Sequence, residues 1–275
     1  MKAMILAAGL GTRLRPLTND RPKALVTVAG RTLLEIVLAR LRLFGVREVI
    51  VNAHHYADRI AEYLSANDHF GMRIEVSREQ LLLDTGGGLK NAAWFFLEPG
   101  SSLDEPFILH NVDVISTIDL ARMVRFHTEN AALATLAVQD RETSRYLLFD
   151  VHGQLRGRRT GPAARAEAPP PEYGQAESMR SAPAVHPLAF SGIHVISPRL
   201  FAKMTMQGAF SIIDAYVDLA AQGEKTVAFR ADESYWRDLG RPENIAQAAL
   251  DLESGKYSVT ECGESKESSR NNLSS

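Results

Sequence analysis

Near its start the chain runs apolar through Ala3-Met4-Ile5-Leu6-Ala7-Ala8 and then stops on Gly9, in Gly9-Leu10-Gly11-Thr12-Arg13-Leu14. A short apolar run without polar alternation reads as a strand buried on both faces, the habit of a parallel sheet covered by helices. The following residues keep that theme. Residues 32–44 carry Leu33, Ile36, Val37, Leu41 and Phe44 at helical spacing, with Gly45 placed to end the helix. Residues 48–52, around Val49-Ile50-Val51, read as a second buried strand, and 58–64 as a helix. A strand is predicted over 72–76, a helix over 89–96, and a third core strand over 107–109, ending in His110-Asn111-Val112-Asp113. Strand and helix in alternation predict an α/β fold, a Rossmann-like three-layer α/β/α sandwich around a mostly parallel, twisted sheet. Right-handed crossovers then gather the loops after the strand C-termini on one edge, where such sheets bind ligands. The chemistry is expected after Ala8, near Asn52 and after Leu109.

Composition narrows the partners. Among 275 residues, 31 Lys and Arg oppose 33 Asp and Glu, so the formal charge is -2. That near-neutral balance argues against a protein held to nucleic acid by phosphate attraction. A single cysteine, Cys262, leaves no disulfide framework or multi-cysteine metal site and suits a reducing compartment. No apolar run approaches the roughly 20 residues of a membrane helix, and Met1-Lys2 leads into too short a run for a secretion signal. The expectation is a cytoplasmic globular domain over 1–252, with monomer and homodimer both open. Two stretches differ. Residues 156–187 hold six of the twelve prolines and few large apolar side chains, and are expected to form a surface insertion. From about 254 the chain turns Ser-, Glu- and Asn-rich, and a disordered tail is expected to 275. Between them, 188–196 and 226–229 read as strands, and 212–221 and 243–252 as helices.

The glycines at 9 and 11 let backbone N–H groups approach an anion. Neither familiar phosphate loop fits: the dinucleotide fingerprint needs a third glycine where Leu14 stands, and the Walker loop needs Lys then Ser or Thr directly after its last glycine. What sharpens the reading is the basic run that follows. Arg13 lies in the loop, Arg15-Pro16-Leu17-Thr18 leads to Arg21-Pro22-Lys23, and both prolines hold the stretch extended. Such an arm could return Lys23 to a bound phosphate.

Leu6-Ala7-Ala8-Gly9-Leu10-Gly11-Thr12-Arg13-Leu14-Arg15-Pro16-Leu17-Thr18, followed by Arg21-Pro22-Lys23-Ala24-Leu25, resembles the signature of the sugar-1-phosphate nucleotidylyltransferases. The resemblance covers about 1–155 and 188–252, and is nearest the N-acetylmuramate-1-phosphate uridylyltransferases and the mannose- or heptose-1-phosphate guanylyltransferases. It implies a fold of the nucleotide-diphospho-sugar transferase type, and a reaction joining an NTP to a sugar 1-phosphate with release of pyrophosphate. UTP is the first expectation and GTP the second. By the resemblance, Ala8, Gly9, Gly11, Thr12 and Arg13 hold the triphosphate, Arg13 neutralises the leaving pyrophosphate, and Lys23 contacts the reacting phosphates.

Phosphoryl transfer of this kind is mostly positioning and charge neutralisation, so Mg²⁺ is expected, with carboxylates to hold it. Asp113 follows the third core strand. Asp238 lies in Trp236-Arg237-Asp238-Leu239-Gly240-Arg241-Pro242-Glu243, which resembles the family's Trp-x-Asp-x-Gly-x-Pro-Glu element. These two are the expected metal pair, with Asn111 near the nucleotide. Glu79 through Gly86-Gly87-Gly88 resembles the segment that receives the base, with Thr85 as a helix N-cap; Gly192 and Asp214 fall where the family contacts the sugar. The family's Glu-Lys-Pro element has no counterpart near 156–187, which leaves the sugar open. His54 and His55 read as ordinary polar residues and Trp94-Phe95-Phe96 as core. The competing expectation is a binding module that has lost turnover, yet Arg13, Lys23, Asp113 and Asp238 are all in place; a cytidylyltransferase for a phospho-alcohol is disfavoured by the 236–243 element.

Overall fold

The computed structural model of the chain describes residues 1–161 and 184–258. Its strands and helices run β1 (Lys2–Leu6), β2 (Thr27–Val28), β3 (Arg31–Thr32), α1 (Leu33–Leu43), β4 (Glu48–Ala53), α2 (Ala57–Ala66), β5 (Arg73–Arg78), α3 (Asp84–Asn91), α4 (Ala93–Phe96), β6 (Phe107–Asn111), β7 (Val114–Ser116), α5 (Leu120–Glu129), β8 (Ala134–Gln139), β9 (Arg145–Phe149), β10 (Leu155–Thr160), β11 (His186–Ile196), α6 (Leu200–Lys203), α7 (Ile212–Ala221), β12 (Thr226–Arg230), β13 (Trp236–Asp238) and α8 (Pro242–Glu253). The main sheet has the order β10-β9-β11-β6-β1-β4-β5, with β8 pairing both β11 and β12. Strands β5, β4, β1 and β6 are parallel, and so are β8 and β12; β11 joins β6, β8 and β9 antiparallel.

Alternation along the strands makes the three layers. Ala3 and Ile5 face one apolar core with Val49, Val51 and Ile108, under α1, α2, α5 and α8. Met4, Ile50, Phe107 and Leu109 face the other, under α3, α4, α6 and α7. Each fully buried side chain of this size contributes about 1.5–3 kcal/mol, so both layers are held chiefly by apolar burial. Thr32 caps α1 by accepting from Glu35 N at 3.0 Å, and Gly45, at a φ of 80°, follows its C-terminus, as its position in the sequence predicts.

Several expectations are corrected. The stretch at 156–187 is not wholly an insertion: residues to Thr160 form β10 against β9, and β11 begins at His186. The pairing consumes backbone groups that composition alone leaves unassigned; the intervening 162–183 lie outside the described residues. The chain remains ordered past 254, because Tyr257 is buried and stacks on Tyr235 with ring centroids 5.2 Å apart. Residues 259–275, with Cys262, lie outside the described part. Phe95 and Phe96 are core, whereas Trp94 is half exposed.

Helix α3 starts at Asp84, so Gly86–Gly88 lie within it and Thr85 is not its N-cap; the Thr85 hydroxyl instead accepts from Ile212 N, 3.0 Å away. Steric demand explains the glycines. A Cβ on Gly86 would sit 2.4 Å from the Phe210 ring, and one on Gly87 2.3 Å from the Gly208 carbonyl oxygen.

Candidate active site

The parallel edge of the sheet opens on two adjoining cavities, of about 440 and 300 Å³, and Asn111 and Asp113 line both. The first lies over the C-terminal ends of β1, β4 and β6. Leu6 to Gly9, Lys23, Asn52, Asp84 and Thr85 surround it. The second opens toward β9, β10 and β11; Arg141, Tyr146, Gly192, Trp236 and Asp238 are among its walls.

The arm after the glycine loop folds back as its prolines suggest. Thr18 Oγ1 donates to the Gly11 carbonyl at 2.9 Å, and a Cβ on Gly11 would lie 3.3 Å from the Lys23 Cβ. Lys23 is thereby carried into the first cavity, where its ammonium donates to Asp113 Oδ2. Gly9 keeps open space where a side chain would be. Arg13 is directed elsewhere: its Nη2 would lie 2.9 Å from a Cβ on Gly240, whose N–H donates to Asp238 Oδ1 at 2.6 Å. Thr12 and Arg13 belong to the short 3-10 turn after Gly11 and are exposed.

Asp113 and Asp238, remote in the chain, are joined by backbone. β13 pairs β7 antiparallel with Asp238 opposite Val114, and Leu239 N donates to the Asp113 carbonyl at 2.7 Å. Both carboxylates face the second cavity. No group of three or more His, Cys, Asp or Glu suited to a metal occurs among the described residues. Two oxygen donors, without imidazole or thiolate, fit a hard divalent cation that completes its shell with water and phosphate. Behind them, His110 Nδ1 lies 2.8 Å from the Asn111 carbonyl. Burial holds that imidazole at a pKa of about 4, so it adds no charge beside Asp113 at neutral pH.

The expected base segment is built differently from a free glycine turn. Gly86 N and Gly87 N donate to the Phe210 carbonyl at 2.9 and 3.3 Å. Glu79 is buried and fully engaged: Oε1 accepts from Asn52 Nδ2 at 2.5 Å and Oε2 from Leu83 N at 2.9 Å. It braces Asn52, which lines the first cavity, rather than lining it. His54 Nδ1 meets the Glu79 carbonyl at 2.9 Å, an ordinary polar contact.

On the sugar side, Gly192 adopts φ +76°, and a Cβ there would meet Asn111 Nδ2 and Val114 Cγ2 at 2.9 Å; only glycine tolerates both demands. Asp214 sits outside the cavity wall, paired with Arg158 at 2.5 Å. Sequence reasoning missed Arg141, Arg145, Arg158 and Arg159, all lining the second cavity. The one available signal was the run Arg156-Gly157-Arg158-Arg159, which composition assigned to the insertion.

The nucleotidyl transferase family matches residues 2–255. An N-acetylmuramate alpha-1-phosphate uridylyltransferase of Caulobacter vibrioides is 35% identical over 88% of this chain and 92% of its own length. A mannose-1-phosphate guanylyltransferase of Mycobacterium tuberculosis is 28% identical over 92% of this chain; the match spans 65% of that longer protein. Among solved structures, an inositol-1-phosphate CTP transferase from T. maritima has the same fold, with a TM-score of 0.69 and 16% identity over 92% of this chain and 94% of that one. The convergence of loop, arm and paired acids on one sheet edge therefore has a family, and this chain belongs to it: the nucleotidyl transferases, among the sugar-1-phosphate nucleotidylyltransferases.

Proposed function

We propose that this enzyme transfers the nucleotidyl group of UTP to a sugar 1-phosphate, with GTP as the second choice of donor. The 35% identity to a uridylyltransferase over nearly its whole length supports UTP; the guanylyltransferase relative supports the second reading. The observation that carries the mechanism is the shared wall. Asn111 and Asp113 separate a glycine-edged cavity suited to a nucleotide from an arginine-lined cavity suited to a sugar phosphate.

In this reading an oxygen of the sugar 1-phosphate attacks the α-phosphorus in line, the bond to the bridging oxygen breaks, and pyrophosphate leaves with that electron pair. No protein nucleophile is needed, since the phosphate monoester is already an anion. Asp113 and Asp238 would hold Mg²⁺, which would supply charge neutralisation for the reacting phosphates. The backbone from Ala8 to Gly11 cradles the triphosphate and Lys23 stabilises charge on the departing pyrophosphate; Arg13, turned toward Gly240, would have to leave that place to do the same. Asn52, braced by Glu79, lies on the nucleotide side.

The test is pyrophosphate release over a panel of four NTPs and several sugar 1-phosphates, N-acetylmuramate 1-phosphate and mannose 1-phosphate included, with and without EDTA. The expected result is EDTA-sensitive turnover, highest with UTP. Equal turnover in EDTA would remove the metal, and a preference for CTP or dTTP would overturn the donor.

A further inference from the structure

The acceptor poses an electrostatic problem that the residues above leave unsolved. A phosphate monoester must enter beside two carboxylates, while Lys23 lies in the nucleotide cavity and Arg13 beside Gly240. Mg²⁺ on those carboxylates would offset part of that charge, and a fixed cation on the sugar side would in addition orient the acceptor. Four arginines line that cavity. Arg145 and Arg158 are exposed, Arg158 is already paired with Asp214, and Arg159 already has an interaction of its own.

Arg141 is different in kind. Its guanidinium carbon lies 3.6 Å from the centroid of the Trp236 ring, and that ring is pinned by its own Nε1, which donates to the Ser191 carbonyl at 2.8 Å. Arg141 Nη2 donates to the Phe190 carbonyl at 2.7 Å. Its Nε is buried with no hydrogen-bond partner. Stacking and the single carbonyl bond fix the plane of the group, yet no carboxylate ion-pairs with it among the described residues. Its Nη1 makes no hydrogen bond among the described residues and is not shut off from solvent as Nε is, so a permanently charged, planar group in the cavity wall keeps a donor for an anion. Position says where that anion sits. Trp236 and Asp238 are alternate residues of β13 and so share a face, and both line the same cavity as Arg141, so an anion held there meets the guanidinium and the metal-side carboxylate in one space.

We infer that Arg141 is the ligand of the acceptor's phosphate, holding the sugar 1-phosphate for attack from the side opposite the nucleotide. The inference rests on the reaction proposed above. It gives this chain a cation on the sugar side, where the family's Glu-Lys-Pro element is missing from its sequence.

The experiment is steady-state kinetics on the full chain with Mg²⁺, comparing wild type, Arg141→Gln and Arg141→Lys in both directions. Arg141→Gln should raise the KM for the sugar 1-phosphate, and for the nucleotide sugar in the reverse direction, by about 30-fold or more. The KM values for UTP and pyrophosphate, and the thermal shift produced by UTP, should stay within about twofold. Arg141→Lys, which keeps the charge and loses the fork, should show the same selective rise at smaller size, and it carries the test if the glutamine variant does not fold. A loss of kcat at unchanged sugar-phosphate KM would make Arg141 a packing residue and overturn the inference, as would equal increases for both substrates. Wild-type inactivity on every sugar phosphate would instead overturn the reaction reading, and the inference with it.

Discussion

At the scale of single residues, Lys23 and Asp113 form the contact with the clearest consequences. An ammonium on Asp113 Oδ2 stands where a cation would bind that carboxylate, so metal entry has to displace it. Lys23→Gln should therefore bind Mn²⁺ about tenfold more tightly in the nucleotide-free protein, read by electron paramagnetic resonance, even as turnover falls. Unchanged or weaker Mn²⁺ binding would show that the ion pair does not compete with the metal. Asp238→Asn tests the other carboxylate. It keeps the size of the side chain and removes its charge, and should lower kcat/KM by on the order of 10²-fold or more, several kcal/mol of transition-state stabilisation. Activity near that of wild type would take Asp238 out of the metal pair.

Among the elements, β13 carries Asp238, one of the two proposed metal carboxylates, together with Trp236, although only three residues long. It is held from behind by α8. Asp251 on that helix is buried; its Oδ2 accepts from Tyr235 Oη at 2.7 Å and from Arg237 Nη2 at 2.7 Å. These donors hold its carboxyl at a pKa of about 2. Asp251→Asn leaves the Arg237 charge without its partner and should cost about 2–4 kcal/mol, measured by urea denaturation. Because Arg237 adjoins Asp238, the sugar-phosphate kinetics should also worsen; a stable variant with full activity would show that α8 does not position the strand. Legibility of these elements from sequence was uneven for a physical reason. β1, β4 and β6 are buried on both faces and announce themselves as apolar runs, and Asp113 and Asp238 stood out through their flanking motifs. β10 is an edge strand with the pattern Leu-Arg-Gly-Arg-Arg-Thr, and no hydrophobic period marks it. Arg141 was equally silent, because its significance lies in a ring and a carbonyl contributed by β13 and β11.

Across the whole molecule, the buried histidines set the response to acid. His110 and His127 are held at a pKa of about 4 and His194 at about 3, in each case chiefly by burial. The unfolded chain, with ordinary imidazoles near 6.5, binds more protons than the folded one between those values. Stability is thus fully present above pH ~6.5 and declines as pH falls toward 4, by on the order of 2 kcal/mol per histidine at pH 5. Asp251 also has a lowered pKa, but its contribution is lost only below the usual carboxylate value of 3.8. Calorimetric melting temperatures should fall clearly from pH 7.5 to 5, and the fall should shrink in His194→Gln; a flat profile over that range would contradict the assignment of neutral, buried imidazoles.

One wall, formed by Asn111 and Asp113, serves both cavities. Any molecule made by linking their two occupants must straddle it, gripped at either end. The finished nucleotide sugar is then the tenant most fully enclosed by the free enzyme, and while it stays neither starting compound can enter. On the proposed reaction, the nucleotide sugar should therefore inhibit in competition with both substrates, which initial-rate assays with added product would check.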